Sequence, residues 1–165
     1  MRYAIIESGF VANIAVSQSP LASNWIPAAN AKIGYRWDGS VFAPVLPSLE
    51  QAKVDKSIEL AAKSEEVSTE DLTVDGVTFT TDNESVADMT TALSVMGRNP
   101  TESIDFKGAN GWTNANKAAL ENMQNAVWVR RKAANANYKA HDDAITLLTT
   151  PQEVIDYDIN TGWPE

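Results

Sequence analysis

Residues 72–80 read Leu-Thr-Val-Asp-Gly-Val-Thr-Phe-Thr, and they decide the fold predicted for the second half of the chain. Asp75-Gly76 is a loop that two-residue β-hairpins favour, because glycine adopts a positive φ at low cost. On both sides of this loop, apolar residues alternate with threonine, which is typical of strands that bury one face. The sequence therefore predicts an antiparallel hairpin at this point.

The residues after this hairpin predict a helix and then a short strand. Asp82 or Asn83 is the expected N-cap of a helix that runs to Met96, and Gly97 ends it. Residues 103–106 predict the strand, because β-branched and aromatic side chains alternate there with polar ones.

A long helix is predicted next, because neither proline nor glycine interrupts residues 114–149. Thr113 is its expected N-cap. Polar residues dilute the apolar stripe in the middle, so we expect the helix to be either half exposed or broken near residues 135–137. Thr150 is the expected cap of a last short helix, which has Pro151 at its first position.

The first 47 residues predict a small β module. Residues 2–7 and 11–17 predict two strands that are joined by a turn at Ser8-Gly9. Asp38-Gly39 predicts a second hairpin. The prolines that follow cannot donate to a strand ladder and end the module.

Residues 48–70 predict a charged helix between these two halves. Val54, Ile58 and Ala61 form a thin apolar stripe along it, and charged side chains cover most of the rest. Two interpretations stay open. The helix is either a linker surrounded by solvent or an oligomerisation helix that pairs with copies of itself, with a trimer favoured.

Together these patterns predict an α+β fold. It consists of two small modules of hairpins and helices joined by the charged helix, with one long C-terminal helix. The expected divisions are an N-terminal β module over 1–47, the linker or oligomerisation helix over 48–70 and a C-terminal domain over 71–165. A chain of 165 residues is long enough for two small domains.

The composition excludes several classes of function. The chain has 13 basic and 22 acidic residues, for a formal charge of −9. A charge of this sign repels phosphate and anionic lipid, and the apolar runs are too short for a membrane helix. There is no cysteine and one histidine, which excludes thiolate and multi-histidine metal sites within one chain. We therefore expect no nucleic-acid partner, no membrane partner, no metal and no cofactor.

The few groups that could perform chemistry do not form a catalytic pattern. His141 precedes two aspartates, but adjacent residues on a helix point about 100° apart and do not face each other. We interpret His141 as a solvent-exposed helix residue. The basic run 130–132 is interpreted as a solvated face or as a place of ion pairs with a neighbouring acidic chain. We therefore expect no catalytic residue and no enzymatic activity.

Tryptophan is the residue that stands out, with five in the chain. Exposed rings can stack on sugars, although core and interface packing is the commoner use. With the apolar stripe of the charged helix, these rings supply the candidate interaction residues. They are Trp25, Trp37, Val54, Ile58, Trp112, Trp128, Tyr138 and Trp163.

The N-terminal residues resemble a module of tailed-bacteriophage tail proteins. Residues 3–14 read Tyr-Ala-Ile-Ile-Glu-Ser-Gly-Phe-Val-Ala-Asn-Ile, and Asn24-Trp25 follows. Residues 33–42 read Ile-Gly-Tyr-Arg-Trp-Asp-Gly-Ser-Val-Phe and extend the resemblance. The order of these motifs makes the likeness more specific than any one of them.

The second half resembles an uncharacterised domain encoded in phage tail-fibre gene clusters. The residues that carry this likeness are 74–79, the turn 109–112 (Ala-Asn-Gly-Trp), 118–120 and the Gly-Trp-Pro ending at 162–164. Together the two likenesses cover residues 1–43 and 72–165.

The resemblance implies a non-enzymatic structural component of a phage tail, associated with the fibres or the baseplate. The N-terminal module would dock to other tail proteins, and the protein would be made in the host cytoplasm and reside in the virion tail. The main alternative is a tail-fibre assembly chaperone, since such chaperones also end in an aspartate-rich Trp-Pro-Glu tail. A lesser alternative is a glycan-binding receptor tip.

Overall fold

The computed structural model of the protein describes residues 1–99, 102–108 and 111–164. The described residues contain four helices and several small antiparallel sheets, which confirms the α+β prediction. The chain divides into two compact units, Met1–Ser48 and Leu49–Glu165. Residues 109 and 110 of the turn expected at 109–112 lie outside the described residues.

The first unit is a five-stranded antiparallel sheet with the strand order β3-β1-β2-β4-β5. Both predicted hairpins are present. The short strand β3 was not predicted, because three residues show no periodicity, and it pairs with the edge of β1. The unit buries small side chains at its centre, among them Ala4 and Val11. The strands are β1 (Arg2–Glu7), β2 (Phe10–Val16), β3 (Trp25–Pro27), β4 (Arg36–Trp37) and β5 (Phe42–Ala43).

The second unit begins with a helix and alternates hairpins with helices. The predicted Asp-Gly hairpin is present, and the φ angles of Asp75 (51°) and Gly76 (80°) are both positive, as a type I′ turn requires. The elements are α1 (Leu49–Thr69), β6 (Leu72–Val74), β7 (Val77–Phe79), α2 (Asn83–Met96), β8 (Ser103–Gly108), β9 (Gly111–Asn116), α3 (Lys117–Leu147) and α4 (Pro151–Asp156).

Helix α3 is continuous over 31 residues, so of the two alternatives, a half-exposed helix or a break near 135–137, the break does not occur. Its N-cap is Asn116, whose side chain accepts a hydrogen bond from the Ala119 amide at 3.0 Å. The predicted cap Thr113 was wrong, because Thr113 lies in β9 and pairs with Phe106 of β8. Residues 114–116, which were expected to begin the helix, therefore belong to the β8–β9 hairpin.

The other two predicted caps are correct. Asp82 accepts a hydrogen bond from the Ser85 amide at 2.7 Å and begins α2. Thr150 and Glu153 form a reciprocal capping box at the start of α4. The first residues of α2 and α4 were thus predicted to within a residue or two, because their caps are neighbours in the sequence.

Helix α1, expected to be a linker or an oligomerisation helix, packs against α3 and α4 inside the second unit. It buries Ala52, Lys56 and Leu60, which are spaced four apart, rather than the predicted stripe. Lys56 concealed this face in the sequence. Its stem is buried, while its ammonium donates to the Ile155 carbonyl at 3.2 Å and pairs with Glu59 at 2.9 Å.

Two hydrophobic clusters form the interior of the second unit. One joins the hairpins and α2 to the N-terminal half of α3 through Phe79, Met89 and Leu120. The other joins α1 and α4 to the C-terminal half of α3 through Leu60 and Ile145. Helix α3 therefore contributes to both clusters, which explains its length.

We predict that Gly108→Ala lowers the free energy of unfolding by about 1–3 kcal/mol, because the new methyl group is forced into a packed site. A Cβ at Gly108 would lie 2.5 Å from the Thr78 carbonyl oxygen, which is backbone and cannot turn away. Urea unfolding followed by circular dichroism measures the change.

Gly97→Ala is the matched control. Gly97 has a helical φ of −59°, and a Cβ there meets backbone oxygens only at 3.4 Å and beyond. This variant should be neutral or more stable by about 0.4–1 kcal/mol. Equal stabilities of the two variants would contradict the close approach of β7 and β8.

Candidate functional site

A groove of about 750 Å³ lies in the first unit beside β4 and β5. Its apolar lining is exposed: Phe10, Val41, Val45 and Leu46 are between 39% and 59% accessible. Trp37 also lines it and stacks on Phe42, with 4.4 Å between the ring centroids. The first unit thus presents a concentration of exposed apolar side chains at one place.

The β4–β5 hairpin shapes this groove, and Asp38 holds the hairpin turn. Its carboxylate accepts hydrogen bonds from the backbone amides of Val41 and Ser40, both at 2.8 Å, and from the Ser40 hydroxyl at 2.9 Å. These bonds, led by that of Val41, lower the pKa of Asp38 below its usual value. The turn is therefore held by a charged acceptor that stays ionised near neutral pH.

Trp25, the other candidate of the first unit, is half-buried. Its backbone pairs with Ile5 of β1, and its ring lies 6.1 Å from the ring of Tyr3. Since Tyr3 is buried, Trp25 contributes mainly to the packing of the sheet edge.

The predicted stripe of α1 is exposed. Val54 is 49% and Ile58 is 64% accessible, and Ala61 is also exposed. With Lys53 and Ser57 they line a shallow depression of about 370 Å³. Because α1 packs inside the unit through its opposite face, this stripe is a surface that other molecules can reach.

The remaining aromatic candidates divide into exposed and packed residues. Trp112 on β9 is 73% accessible and Trp128 on α3 is 60% accessible. Tyr138 and Trp163, in contrast, pack against the cluster that contains Leu60. The structure therefore does not bring the predicted residues together into one site.

His141 is buried, so its interpretation as a solvent-exposed residue was wrong. Its Nε2 lies 3.0 Å from the Thr161 carbonyl and its Nδ1 lies 2.9 Å from the Tyr157 hydroxyl. A carbonyl only accepts, so Nε2 carries a proton and donates to Thr161; Nδ1 accepts from the Tyr157 hydroxyl in the neutral ring and donates to it in the charged ring. The ring also stacks on Trp163 at 5.7 Å. His141 thus fastens the C-terminal segment to α3.

The basic run 130–132 is not simply a solvated face either. Arg130 is buried and donates to the Glu70 carbonyl at 2.7 Å. Arg131 donates to the Thr81 carbonyl at 2.7 Å. Arg131 is half-buried, and Lys132 is exposed, with its ammonium 4.9 Å from the centre of the Trp128 ring. The sequence contained no local signal for these contacts, because the carbonyls lie 50 or more residues away.

The C-terminal segment after α4 is held by a turn at Asp158. Its carboxylate accepts from the Asn160 backbone amide and from the Asn160 side chain, each at 2.9 Å. The pKa of Asp158 is lowered mainly by these two bonds, with smaller effects of the His141 and Lys56 charges. Asn137 adds a hydrogen bond to the Thr161 carbonyl at 2.9 Å.

The structure also bears on metal binding and on membrane spanning. Over residues 1–99, 102–108 and 111–164, no group of three or more His, Cys, Asp or Glu side chains is placed to hold a metal ion. In the same part of the chain, none of the helices combines the length and the apolar character needed to cross a membrane.

Comparison with known proteins finds one family. Residues 51–160 match the model of a family described as a domain of unknown function, DUF4376. The match includes α1, which supports treating this helix as part of the second unit. No curated protein and no solved structure matches the chain.

We predict that His141→Ala lowers the free energy of unfolding by about 1–3 kcal/mol, because it leaves the Thr161 carbonyl and the Tyr157 hydroxyl without their partner. Urea unfolding measures the loss, and Trp163 fluorescence should report release of the C-terminal segment. Asp142→Ala, one residue further along the helix, is the control and should change little. If both variants behave alike, His141 does not fasten the segment.

Proposed function

The chain belongs to the DUF4376 family, a family of unknown function, and we propose that it is a non-enzymatic structural component of a bacteriophage tail. In this proposal the protein is associated with the fibres or the baseplate and acts through protein–protein contacts. The support comes from the first unit, which lies outside the family match and carries the resemblance to tail proteins.

One observation carries the proposal. The segments 3–14 and 33–42, which resemble the tail-protein module, contribute Phe10, Trp37 and Val41 to the groove of the first unit. Exposed apolar patches of this kind mark interaction sites more often than single exposed residues do. We infer that this groove is the surface that docks to a neighbouring tail protein.

Oligomerisation is the second part of the proposal. The stripe of Val54, Ile58 and Ala61 offers a narrow apolar seam on a helix whose other face is already packed. A seam of this width suits close pairing of identical helices, and a trimer is the favoured state. Each copy would then contribute one groove, so that the assembly contacts the tail at several equivalent places.

The first test is protein mass spectrometry of purified particles of the source phage. We expect peptides of this chain in a fixed ratio to the major tail protein. Peptides that are abundant in the infected-cell lysate but missing from particles would instead support the alternative, a tail-fibre assembly chaperone.

A pair of variants tests the groove itself. Phe10→Asp places a charge on its apolar lining, so we expect the protein to be lost from particles while it still folds. Val16→Asp is the control, since Val16 is 83% exposed at the other end of the same strand, β2, and does not line the groove. Equal incorporation of both variants would exclude docking through this groove.

A further pair of variants tests self-association through α1. Ile58→Asp should dissociate the oligomer, because burying a charge in an apolar seam costs about 1–3 kcal/mol per chain. Light scattering coupled to size exclusion gives the mass. Val129→Asp, at another exposed β-branched residue, should keep the mass of the unmodified protein. An unchanged mass for Ile58→Asp would rule out the seam.

A further inference from the structure

A depression of about 400 Å³ lies between α2 and α3, and it shares no lining residue with the groove or with the α1 stripe. Val86 of α2 and Val127 of α3 give it apolar walls, and the exposed indole of Trp128 borders it. Polar side chains complete the lining: Glu121, Gln124, Asn125 and Arg131. It therefore combines an accessible aromatic ring with several hydrogen-bonding groups.

Two of the polar groups are held in place by contacts to α2 and the segment before it. The amide nitrogen of Gln124 donates to the Thr90 hydroxyl at 3.0 Å, and this hydrogen bond fixes the orientation of the side-chain amide. The guanidinium of Arg131 donates to the Thr81 carbonyl at 2.7 Å and to the Asn83 side chain at 3.2 Å. A ligand would thus meet groups that are already oriented.

The indole of Trp128 is also positioned. The Lys132 ammonium lies 4.9 Å from the ring centroid, a cation–π distance. The ammonium covers one face of the ring, and Trp128 as a whole is 60% exposed. Part of the aromatic surface is therefore available to a ligand.

The lining argues against several kinds of ligand. An amphipathic partner helix needs a row of apolar anchor sites, and this depression has three apolar residues among seven. An anionic ligand would face Glu121 and a protein of charge −9, and a cationic one would face Arg131 and Lys132. A neutral ligand with one apolar face and a rim of donors and acceptors fits all of these groups.

We propose that this depression binds a neutral saccharide. A pyranose ring presents C–H groups on its face, which pack on the Trp128 indole, and hydroxyls on its rim. Each hydroxyl both donates and accepts, so it can pair with the carboxylate of Glu121 and the amides of Gln124 and Asn125. A volume of about 400 Å³ accommodates one or two sugar rings. This inference does not rest on the proposed place of the protein in a phage tail.

The test is a titration of the full chain followed by NMR of the tryptophan indole N–H signals. The probes are glucose, galactose and N-acetylglucosamine, and the disaccharides cellobiose, lactose and chitobiose, each to about 50 mM. We expect at least one to shift the Trp128 signal saturably, with a dissociation constant on the order of 1 mM.

Variants connect the binding to the depression. Trp128→Ala removes an exposed ring, so the chain should fold, and the backbone signals of residues 121–131 should no longer respond to the sugar. Gln124→Ala should weaken binding by at least about threefold, through one lost hydrogen bond. Trp112→Ala, which removes the other highly exposed indole, should bind as the unmodified chain does.

Two outcomes would overturn the inference. In the first, none of the six sugars shifts the Trp128 signal. In the second, the sugar response persists in Trp128→Ala.

Discussion

Buried polar side chains of α3 need hydrogen-bond partners, and this requirement organises the second unit. Arg130 donates to the carbonyl of Glu70, which lies between α1 and the β6–β7 hairpin. Arg131 donates to the carbonyl of Thr81, which lies between this hairpin and α2. His141 contacts Thr161 in the C-terminal segment. Three connections that lack regular structure are thus fixed by one helix.

These contacts also decide which surfaces stay available. The C-terminal segment, once fastened, brings Trp163 against the cluster around Leu60, where Tyr138 also packs, so these two aromatic residues serve packing. Trp128 and the stripe of α1 face outwards instead. Within the second unit, the surfaces proposed for recognition are therefore those that the internal contacts of α3 leave uncovered.

The first unit follows a different principle. Its central cluster consists of alanine and valine, which bury little area. Hydrogen bonds within its turns therefore contribute much to holding the strands in place. Asp38 shows this, since three hydrogen bonds to one carboxylate hold the β4–β5 hairpin. A small core leaves other apolar residues, such as Phe10 and Val41, at the surface, where they line the groove.

Much of this architecture follows from short-range patterns. The loop at Asp75-Gly76, the cap Asp82 and the capping box that starts at Thr150 are each complete within a few residues. The hairpins β1–β2, β4–β5 and β6–β7, the helices α2 and α4 and the α+β class were predictable for that reason. The start of α3 was predicted too early, since Thr113 and Asn116 are both good caps and only the pairing with β8 separates them.

The sequence by itself determined the local elements, because turn and cap chemistry acts between neighbours in the chain. Only the tertiary structure decided which face of α1 is buried, since Lys56 masks that face until its ammonium reaches the Ile155 carbonyl. It also decided that His141 lies inside. The physical reason is the same in both cases: the burial of a polar side chain depends on a backbone carbonyl supplied by a distant part of the chain.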